Sequence, residues 1–334
     1  KGANRVGGDA VHFCRQSCHF TPVRAGVKQC RSVIGCGPIT FVRQGKGHHE
    51  MKVLISADME GTCGVVSWVQ VMPPEYGGEA HSQDRYYRTR ERMTAEINAA
   101  VEGALAAGAD EVIVNDSHDG MRNIIPDKLH PSIRFITGND KPLGMAQGVD
   151  LDGVGAMFYT GYHAKAGTPA APLAHTWTGW LNDVKINGVS TGEFGINAAV
   201  AGYYGVPVTM ISGDEKAVAQ TQAFLGEQVA GAAVKEGLST FSALHLHPER
   251  ARDLIRSAAE QGVRNAATAT PFVLPAESTI ELTFEHQARA DQAINVPGVV
   301  RTGERSVAWI TPNGREFIRT FRAVIGVAAI KMTP

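Results

Sequence analysis

The sequence predicts an α/β fold with a mainly parallel sheet flanked by helices, followed by a smaller C-terminal α+β subdomain. Two observations support this prediction. Short apolar segments alternate with segments of helical periodicity, which is typical of strands joined by crossover helices. Acidic and histidine side chains directly follow several of the apolar segments, at the edge where parallel sheets form their sites. From about residue 268 the rhythm changes, and a βαβα unit is expected there.

The first strand and the first helix are the clearest elements. Residues 53–57 form a short apolar run typical of a buried strand. Ser82 offers an N-cap for the helix that follows, and Gly108 ends it. One face of this helix has an apolar residue at every fourth position, namely Met93, Ile97, Val101 and Leu105.

The elements that follow continue the alternation. Further strands are expected at residues 112–114, 156–159 and 206–211. Further helices are expected at residues 196–204, 217–225 and 248–263, the last beginning at a proline. The C-terminal unit is expected to contain a strand at 279–284, a helix at 288–294, a strand at 306–310 and a closing helix at 316–330.

The composition divides the chain into three parts. Residues 1–50 carry eight Lys or Arg against Asp9 and Glu50, hold four of the five cysteines, and lack any helical or strand period. We therefore expect residues 1–50 to be a disordered or artificial extension, with a targeting peptide or a cysteine zinc site as alternatives. Residues 51–267 are expected to form an α/β metal-binding catalytic domain, and residues 268–334 a small α+β subdomain.

The bulk composition excludes several classes of partner. A net charge of −1 and 43% hydrophobic residues are ordinary for a globular protein and indicate neither a nucleic-acid partner nor a membrane surface. The sequence contains no apolar run of roughly 18 residues, so no transmembrane helix is expected. Cys63 is the single cysteine after residue 50, which suits a reducing compartment and predicts a cytoplasmic location.

Asp58 and Glu60 directly follow the first predicted strand. If the strand continues through them, both carboxylates point to one face, where they repel each other unless a cation lies between them. A divalent metal is the simplest such cation. A helix-capping aspartate beside a solvated glutamate is the alternative, so this pair alone is a weak signal.

His118 and His163 each follow another predicted strand within a few residues. A lone histidine there is more often structural, but two at the same predicted sheet edge as two carboxylates favour a metal site. Mixed imidazole and carboxylate ligation suits zinc, with Mn, Co or Fe as alternatives. Glu193 lies between glycines at the start of a predicted helix and is a fifth candidate ligand. Asp116 could orient a ligand histidine.

Five ligands suit two metal ions that share a carboxylate. Two metals about 3.5–4 Å apart can activate a water and polarise a carbonyl together, which is hydrolytic chemistry. His175, on a loop after Pro172, is the candidate catalytic residue, as acid, base or nucleophile, and a surface histidine is the alternative. The sequence has no phosphate-binding loop, dinucleotide fingerprint or nucleophile elbow that would suggest other chemistry.

The same residues lie in motifs that resemble the zinc-dependent D-aminopeptidases of the dipeptide-operon family. The resemblance covers roughly residues 51–334. The matching motifs are Ser56-Ala-Asp-Met-Glu-Gly61, Val114-Asn-Asp-Ser-His118, Gly161-Tyr-His-Ala164, His175, Gly192-Glu-Phe-Gly-Ile-Asn197, Ala201-Gly-Tyr-Tyr-Gly-Val-Pro-Val208 and Gly213-Asp214.

The sequence departs from these motifs in one place. The stretch at residues 65–83 is longer than expected and is either a lid or an exposed insertion.

The resemblance implies a dinuclear zinc aminopeptidase that hydrolyses short peptides with D-residues at the amino end. It implies zinc ligation by the five candidates, a catalytic role for His175, and a cytoplasmic homo-oligomer, in which rings enclose the active sites. Another two-metal amidase or phosphoesterase remains an alternative. So does a non-catalytic, metal-stabilised oligomeric binding protein.

Overall fold

The computed structural model of the chain describes residues 50–73 and 83–332, so all but the last residue of the predicted extension at residues 1–50 lies outside the described residues. No described helix is long and apolar enough to cross a membrane. The helices are α1 (Gln83–Ala106), α2 (Glu193–Tyr203), α3 (Glu215–Leu225), α4 (Pro248–Ala266), α5 (Gln287–Ala293) and α6 (Gly314–Ala328). The strands are β1 (Lys52–Ala57), β2 (Glu111–Asp116), β3 (Arg134–Ile136), β4 (Val154–Tyr162), β5 (Leu181–Ile186), β6 (Val189–Thr191), β7 (Val208–Asp214), β8 (Ala230–Ser239), β9 (Ser242–His245), β10 (Ser278–Phe284), β11 (Val300–Arg301) and β12 (Ser306–Thr311).

The larger sheet has the strand order β3-β2-β1-β4-β7-β8-β9 and is parallel except for β9, which pairs antiparallel with β8. The chain builds outward from β1 to β2 and β3, and then crosses to β4 on the other side of β1. The switch point of the topology therefore lies between β1 and β4, where the carboxyl ends of these strands leave a crevice. This sheet confirms the predicted α/β fold.

Both faces of the larger sheet are buried, as the apolar runs of its strands predict. Val53 and Ile55 face a core that includes α1 and α4, whereas Leu54 between them faces the core on the opposite side. That second core is formed with α2, α3 and α6 and with the smaller sheet. The period of two along β1 therefore separates two hydrophobic layers.

The smaller sheet is antiparallel, with the order β11-β12-β10-β5-β6. It contains the two predicted C-terminal strands, now β10 and β12, together with the short β11. It also includes β5 and β6, which precede residue 268, so residues 268–334 do not form this sheet alone. The physical reason is that β10 pairs on both edges, with β12 on one side and β5 on the other. A domain boundary near residue 268 stays a prediction.

The predicted helices and buried strands are present with shifted ends. The second helix begins at Glu193 rather than residue 196, and the last ends at Ala328 rather than residue 330. The sequence reasoning missed β3, β5, β6, β8, β9 and β11. Half of β8 consists of alanine and glycine, which have low strand propensity, so pairing with β7 rather than local preference defines it.

Candidate metal centre

Asp58 and Glu60 lie in a turn after β1, so the strand does not continue through them, which was the condition for both carboxylates to share one strand face. This turn starts after Ala57, the last residue of β1, and its backbone packs against the backbone at the end of β4. The N–H of Gly61 donates to the carbonyl of Gly161 at 2.7 Å. A Cβ at Gly61 would lie 1.9 Å from the carbonyl oxygen of Tyr162, and Gly161 has φ +67°. Glycine at both positions therefore allows the two ligand-bearing segments to meet.

His118 and His163 turn one ring nitrogen each toward these carboxylates. Nδ1 of His118 lies 2.9 Å from Glu60 Oε2 and 3.3 Å from Asp58 Oδ1. Its Nε2 lies 2.8 Å from the carbonyl of Val71. Because a carbonyl can only accept, Nε2 carries the hydrogen, and the Nδ1 of a neutral ring presents its lone pair to the site.

His163 is fixed in the same way with the nitrogens exchanged. Its Nδ1 donates to the carbonyl of Ala164 at 3.0 Å, while Nε2 lies 3.4 Å from Asp58 Oδ2 and 3.3 Å from Glu193 Oε1. Glu193 is the first residue of α2, and its Oε1 accepts from the backbone N–H of Trp177 at 2.6 Å. All five predicted ligands therefore lie in one cluster, and their role as ligands stays a prediction.

His175 is stacked on His163, with ring centroids 3.9 Å apart. Its Nδ1 donates to the carbonyl of Leu173 at 2.8 Å, and its Nε2 lies 3.9 Å from Glu60 Oε1. His175 lines the adjoining cavity, whereas His163 is not among the residues that line it. Trp68 packs against the His175 ring edge to face, with centroids 5.2 Å apart. His175 thus separates the buried histidine from the cavity.

The three carboxylates of the cluster are buried in close proximity, with Asp58, Glu60 and Glu193 only 3%, 2% and 6% exposed. With neutral imidazoles, Asp58 Oδ2 and Glu60 Oε2 accept no hydrogen bond from the described residues. Buried, unsatisfied carboxylate oxygens are costly unless a cation neutralises them. Donor atoms of His163, His175 and Glu193 lie within 4.8 Å of one another, as do those of Asp58, Glu60 and His163. These donors fit zinc, which accepts mixed imidazole and carboxylate ligands.

Without metal, the cluster holds protons instead. Burial and the neighbouring Glu60 carboxylate raise the pKa of Asp58 to about 7. Burial lowers the pKa of His163, but Glu193 and Asp58 outweigh it and raise this pKa to about 10. The pKa of His118 is likewise well above its usual value because Glu60 and Asp58 overcome the effect of burial.

His175 differs electrostatically from the other two histidines. Burial and the adjacent His163 lower the pKa of His175 below its usual value. At neutral pH its ring is therefore uncharged, with the hydrogen on Nδ1 and a free lone pair on Nε2. This tautomer can accept a proton at the atom that faces the carboxylate cluster.

The loops that carry the ligands are held by buried polar groups. The Asp116 carboxylate accepts from the backbone of Asn123 and Ile124, and the Asn123 amide donates to the His118 carbonyl at 2.6 Å. Asp116 therefore fixes the loop that carries His118, through Asn123, rather than the imidazole ring. Lys235 donates to three carbonyls of the turn after β1, those of Glu60, Thr62 and Val65.

A cavity of about 750 Å³ opens beside the cluster. Sequence reasoning missed several residues of its wall, including Trp68, Lys141, Trp177 and Arg322. Lys141 follows β3, a strand that the sequence did not predict, and belongs to no motif. Trp177 binds Glu193 through its backbone, which no side-chain pattern reveals. The stretch at residues 65–83, expected to be a lid or an exposed insertion, is described only to residue 73 and at residue 83. Within its described part, Trp68 and Met72 line the cavity.

Comparisons with known proteins agree with this geometry. The sequence profile of peptidase family M55, described as D-aminopeptidase, matches residues 51–323. The D-aminopeptidase of Bacillus subtilis (strain 168) is 32% identical over 283 residues, covering 84% of this chain and 98% of the relative. A solved structure described as the Zn-dependent D-aminopeptidase DppA from Bacillus subtilis, a self-compartmentalizing protease, superposes with a TM-score of 0.78. The two are 32% identical, over 85% of this chain and 100% of the other.

Proposed function

Because this chain belongs to the D-aminopeptidase family M55 and is thus a peptide hydrolase, we propose that it is a dinuclear zinc aminopeptidase. Its substrates would be short peptides with a D-residue at the amino end. The observation that carries the proposal is the cluster of three buried carboxylates and three histidines, each histidine with one nitrogen hydrogen-bonded to a backbone carbonyl. The other nitrogen of each ring faces the carboxylates.

Asp58, Glu60, His118, His163 and Glu193 would hold the metal ions. Zinc bound there would supply Lewis acidity, which polarises a peptide carbonyl and lowers the pKa of water. The protein contributes rigidity, because four of the five predicted ligand side chains are fixed by a second bond. The Trp177 N–H holds Glu193, the Met59 N–H holds Asp58, and backbone carbonyls hold the two histidines.

His175 would act as the proton acceptor. Its free Nε2 faces the cluster and its lowered pKa keeps the ring neutral, so it can take a proton from the attacking water. The imidazolium formed can then donate that proton to the leaving amine. The hydrogen bond from Nδ1 to the Leu173 carbonyl and the contact with Trp68 hold the ring in place through both transfers.

We also propose that the chain works as a homo-oligomer. The support is the description of the Bacillus subtilis structure as a self-compartmentalizing protease. Stacked rings that enclose the active sites, and a cytoplasmic location, stay predictions. Size-exclusion chromatography with light scattering tests the assembly, and a monomer at micromolar concentration would contradict it.

The first experiment combines metal content with turnover. Elemental analysis should find two zinc ions per chain, and the same sample should release alanine from D-alanyl-D-alanine faster than from L-alanyl-L-alanine. Zinc without amide hydrolysis, but with cleavage of phosphate esters, would favour another two-metal hydrolase. A folded sample that takes up no metal from zinc-containing buffer would refute the proposed centre.

A further inference from the structure

The cavity wall contains a buried ammonium group that the proposed chemistry leaves unused. Lys141 lines the cavity and is only 7% exposed. Its Nζ donates to Asn115 Oδ1 at 2.6 Å and to the backbone carbonyl of Asp116. Both acceptors are uncharged, and within residues 50–73 and 83–332 no carboxylate lies at ion-pair distance from Nζ. The Asp116 carboxylate is bound instead to Asn123 and Ile124.

Burial lowers the pKa of Lys141 to about 8, and the Asp116 carboxylate, which lies beyond ion-pair distance, offsets only part of this effect. A buried charge without a counter-ion in contact is unusual because its desolvation is not fully compensated. An ammonium has three hydrogens, and Lys141 uses two of them with partners in the described part of the chain. A buried, unpaired cation in the wall of an active-site cavity is typical of a group whose partner is an anionic ligand.

Lys141 lies in the same cavity as the carboxylate cluster. Its Nζ is bound to the backbone carbonyl of Asp116, and the next residues, Ser117 and the predicted ligand His118, line the same cavity. An anion held by Lys141 would therefore share the cavity with a peptide carbonyl placed at the cluster.

Arg322 adds a second positive charge to the same cavity. It projects from α6, donates to the carbonyl of Pro142 at 3.3 Å, and approaches the fully exposed Asp140 carboxylate only to 4.0 Å. A weak, solvated contact of this kind leaves the guanidinium free to attract a ligand. The cavity wall thus contains the acidic cluster with the nearby Asp119, and also the basic Lys141 and Arg322 beside the solvent-exposed Asp140.

We propose that Lys141, assisted by Arg322, binds the free carboxylate at the carboxyl end of the substrate. The inference rests on the proposed peptidase function and adds a group that recognises the carboxyl end of the substrate. The amino end of the peptide faces the acidic cluster, and its carboxylate completes the hydrogen bonding of the Lys141 ammonium. A peptide with a blocked carboxyl end leaves that charge buried and unpaired.

The test compares D-alanyl-D-alanine with its carboxyl-terminal amide on the zinc-loaded enzyme. We expect wild-type kcat/KM to favour the free acid by roughly ten- to a hundredfold, the value of one charged hydrogen bond. In Lys141→Met this ratio should fall toward one, and Lys141→Arg should restore part of it. Arg322→Gln should reduce the ratio by at most about fivefold, because its charge is half-exposed.

Two variants serve as controls. Lys185→Met removes an exposed lysine paired with Glu281, and Arg319→Gln removes an exposed arginine one turn before Arg322. Both should keep the wild-type ratio. If Lys141→Met lowers kcat/KM for acid and amide equally, Lys141 is a structural residue and the proposal is wrong.

The outcomes also separate this proposal from the proposed function. A wild-type enzyme that cleaves acid and amide equally well would refute carboxylate recognition and leave the aminopeptidase intact. A zinc-loaded wild-type enzyme that cleaves neither substrate would refute the aminopeptidase function itself.

Discussion

At the scale of single residues, three histidines of the cluster share the same hydrogen-bonding arrangement. His118, His163 and His175 each donate from one ring nitrogen to a backbone carbonyl and present the other to the carboxylates. Because a backbone carbonyl can accept a hydrogen bond but cannot donate one, this arrangement fixes the tautomer of each neutral ring before a metal or substrate binds. The two histidines that are predicted ligands, His118 and His163, differ from the predicted base His175 in their electrostatic surroundings rather than in their orientation. The pKa of His175 is lowered, by burial and the neighbouring His163, whereas those of His118 and His163 are raised.

This difference predicts the effect of His175→Ala. The variant should retain its zinc, because the predicted ligands remain, and lose roughly 10²–10⁴-fold in kcat, the usual contribution of a general base. Zinc content by elemental analysis and kcat for D-alanyl-D-alanine check this. His247→Ala, which changes an exposed histidine, is the matched control. Loss of zinc together with activity would instead make His175 a ligand.

At the scale of secondary structure, the site depends on how strand ends meet. The turn after β1 and the end of β4 approach each other through backbone atoms, and glycines make this approach possible. The strands bring the side chains of the cluster to the edge of the sheet. The contact between the turn after β1 and the end of β4 then sets the distance between those side chains. Lys235 on β8 reinforces this arrangement by binding three carbonyls of the first turn.

Gly161 lies at this contact, so we expect Gly161→Ala to have a large effect on stability and on zinc binding. The added Cβ would meet the Asp58 carbonyl at 2.2 Å, and φ is +67°. We expect a loss of about 1–3 kcal/mol from backbone strain, increased by the clash, together with weaker zinc binding. Denaturant unfolding and zinc titration measure the two effects.

Gly326→Ala is the matched control for that substitution. Gly326 lies within α6 with open space around it, so alanine there should stabilise the protein by about 0.5–1 kcal/mol through helix propensity. Equal stability changes in the two variants would show that the contact between the turns does not constrain the site.

At the scale of the whole molecule, the acidic cluster lies where the layers converge. Its predicted ligands come from segments after β1, β2 and β4 and from the start of α2, whose other residues pack into the core shared with the smaller sheet. Neutralising the buried carboxylates should therefore stabilise the entire fold. Metal binding to the native state alone raises stability by mass action.

Zinc removal should accordingly lower the melting temperature. With free zinc about 100-fold above Kd, one site contributes about 2.7 kcal/mol, which corresponds to a shift of roughly 4–5 °C for a folded unit of this size. Calorimetry of chelator-treated and zinc-loaded protein measures this shift, and Glu193→Gln should reduce it. Identical melting temperatures in both samples would contradict zinc binding to the folded chain.

The zinc-dependent shift should shrink in acid. Without metal, Asp58 titrates with a pKa of about 7 and His163 with a pKa of about 10, so protons occupy the site at low pH. Zinc must displace those protons, and its affinity therefore falls as the pH decreases through 7 and below. A shift that is constant between pH 8 and pH 5.5 would contradict this competition.

The sequence by itself determined the parallel sheet, its helices and the five candidate ligands with His175. These features have local signals, because buried strands are continuous apolar runs and polar residues that follow them reach one sheet edge. Tertiary structure alone decided the pairing of β5 with β10, the turn that carries Asp58 and Glu60, and the place of Lys141. Each of these depends on contacts between residues distant in the chain, such as Gly61 with Gly161. Local periodicity carries no information about such contacts.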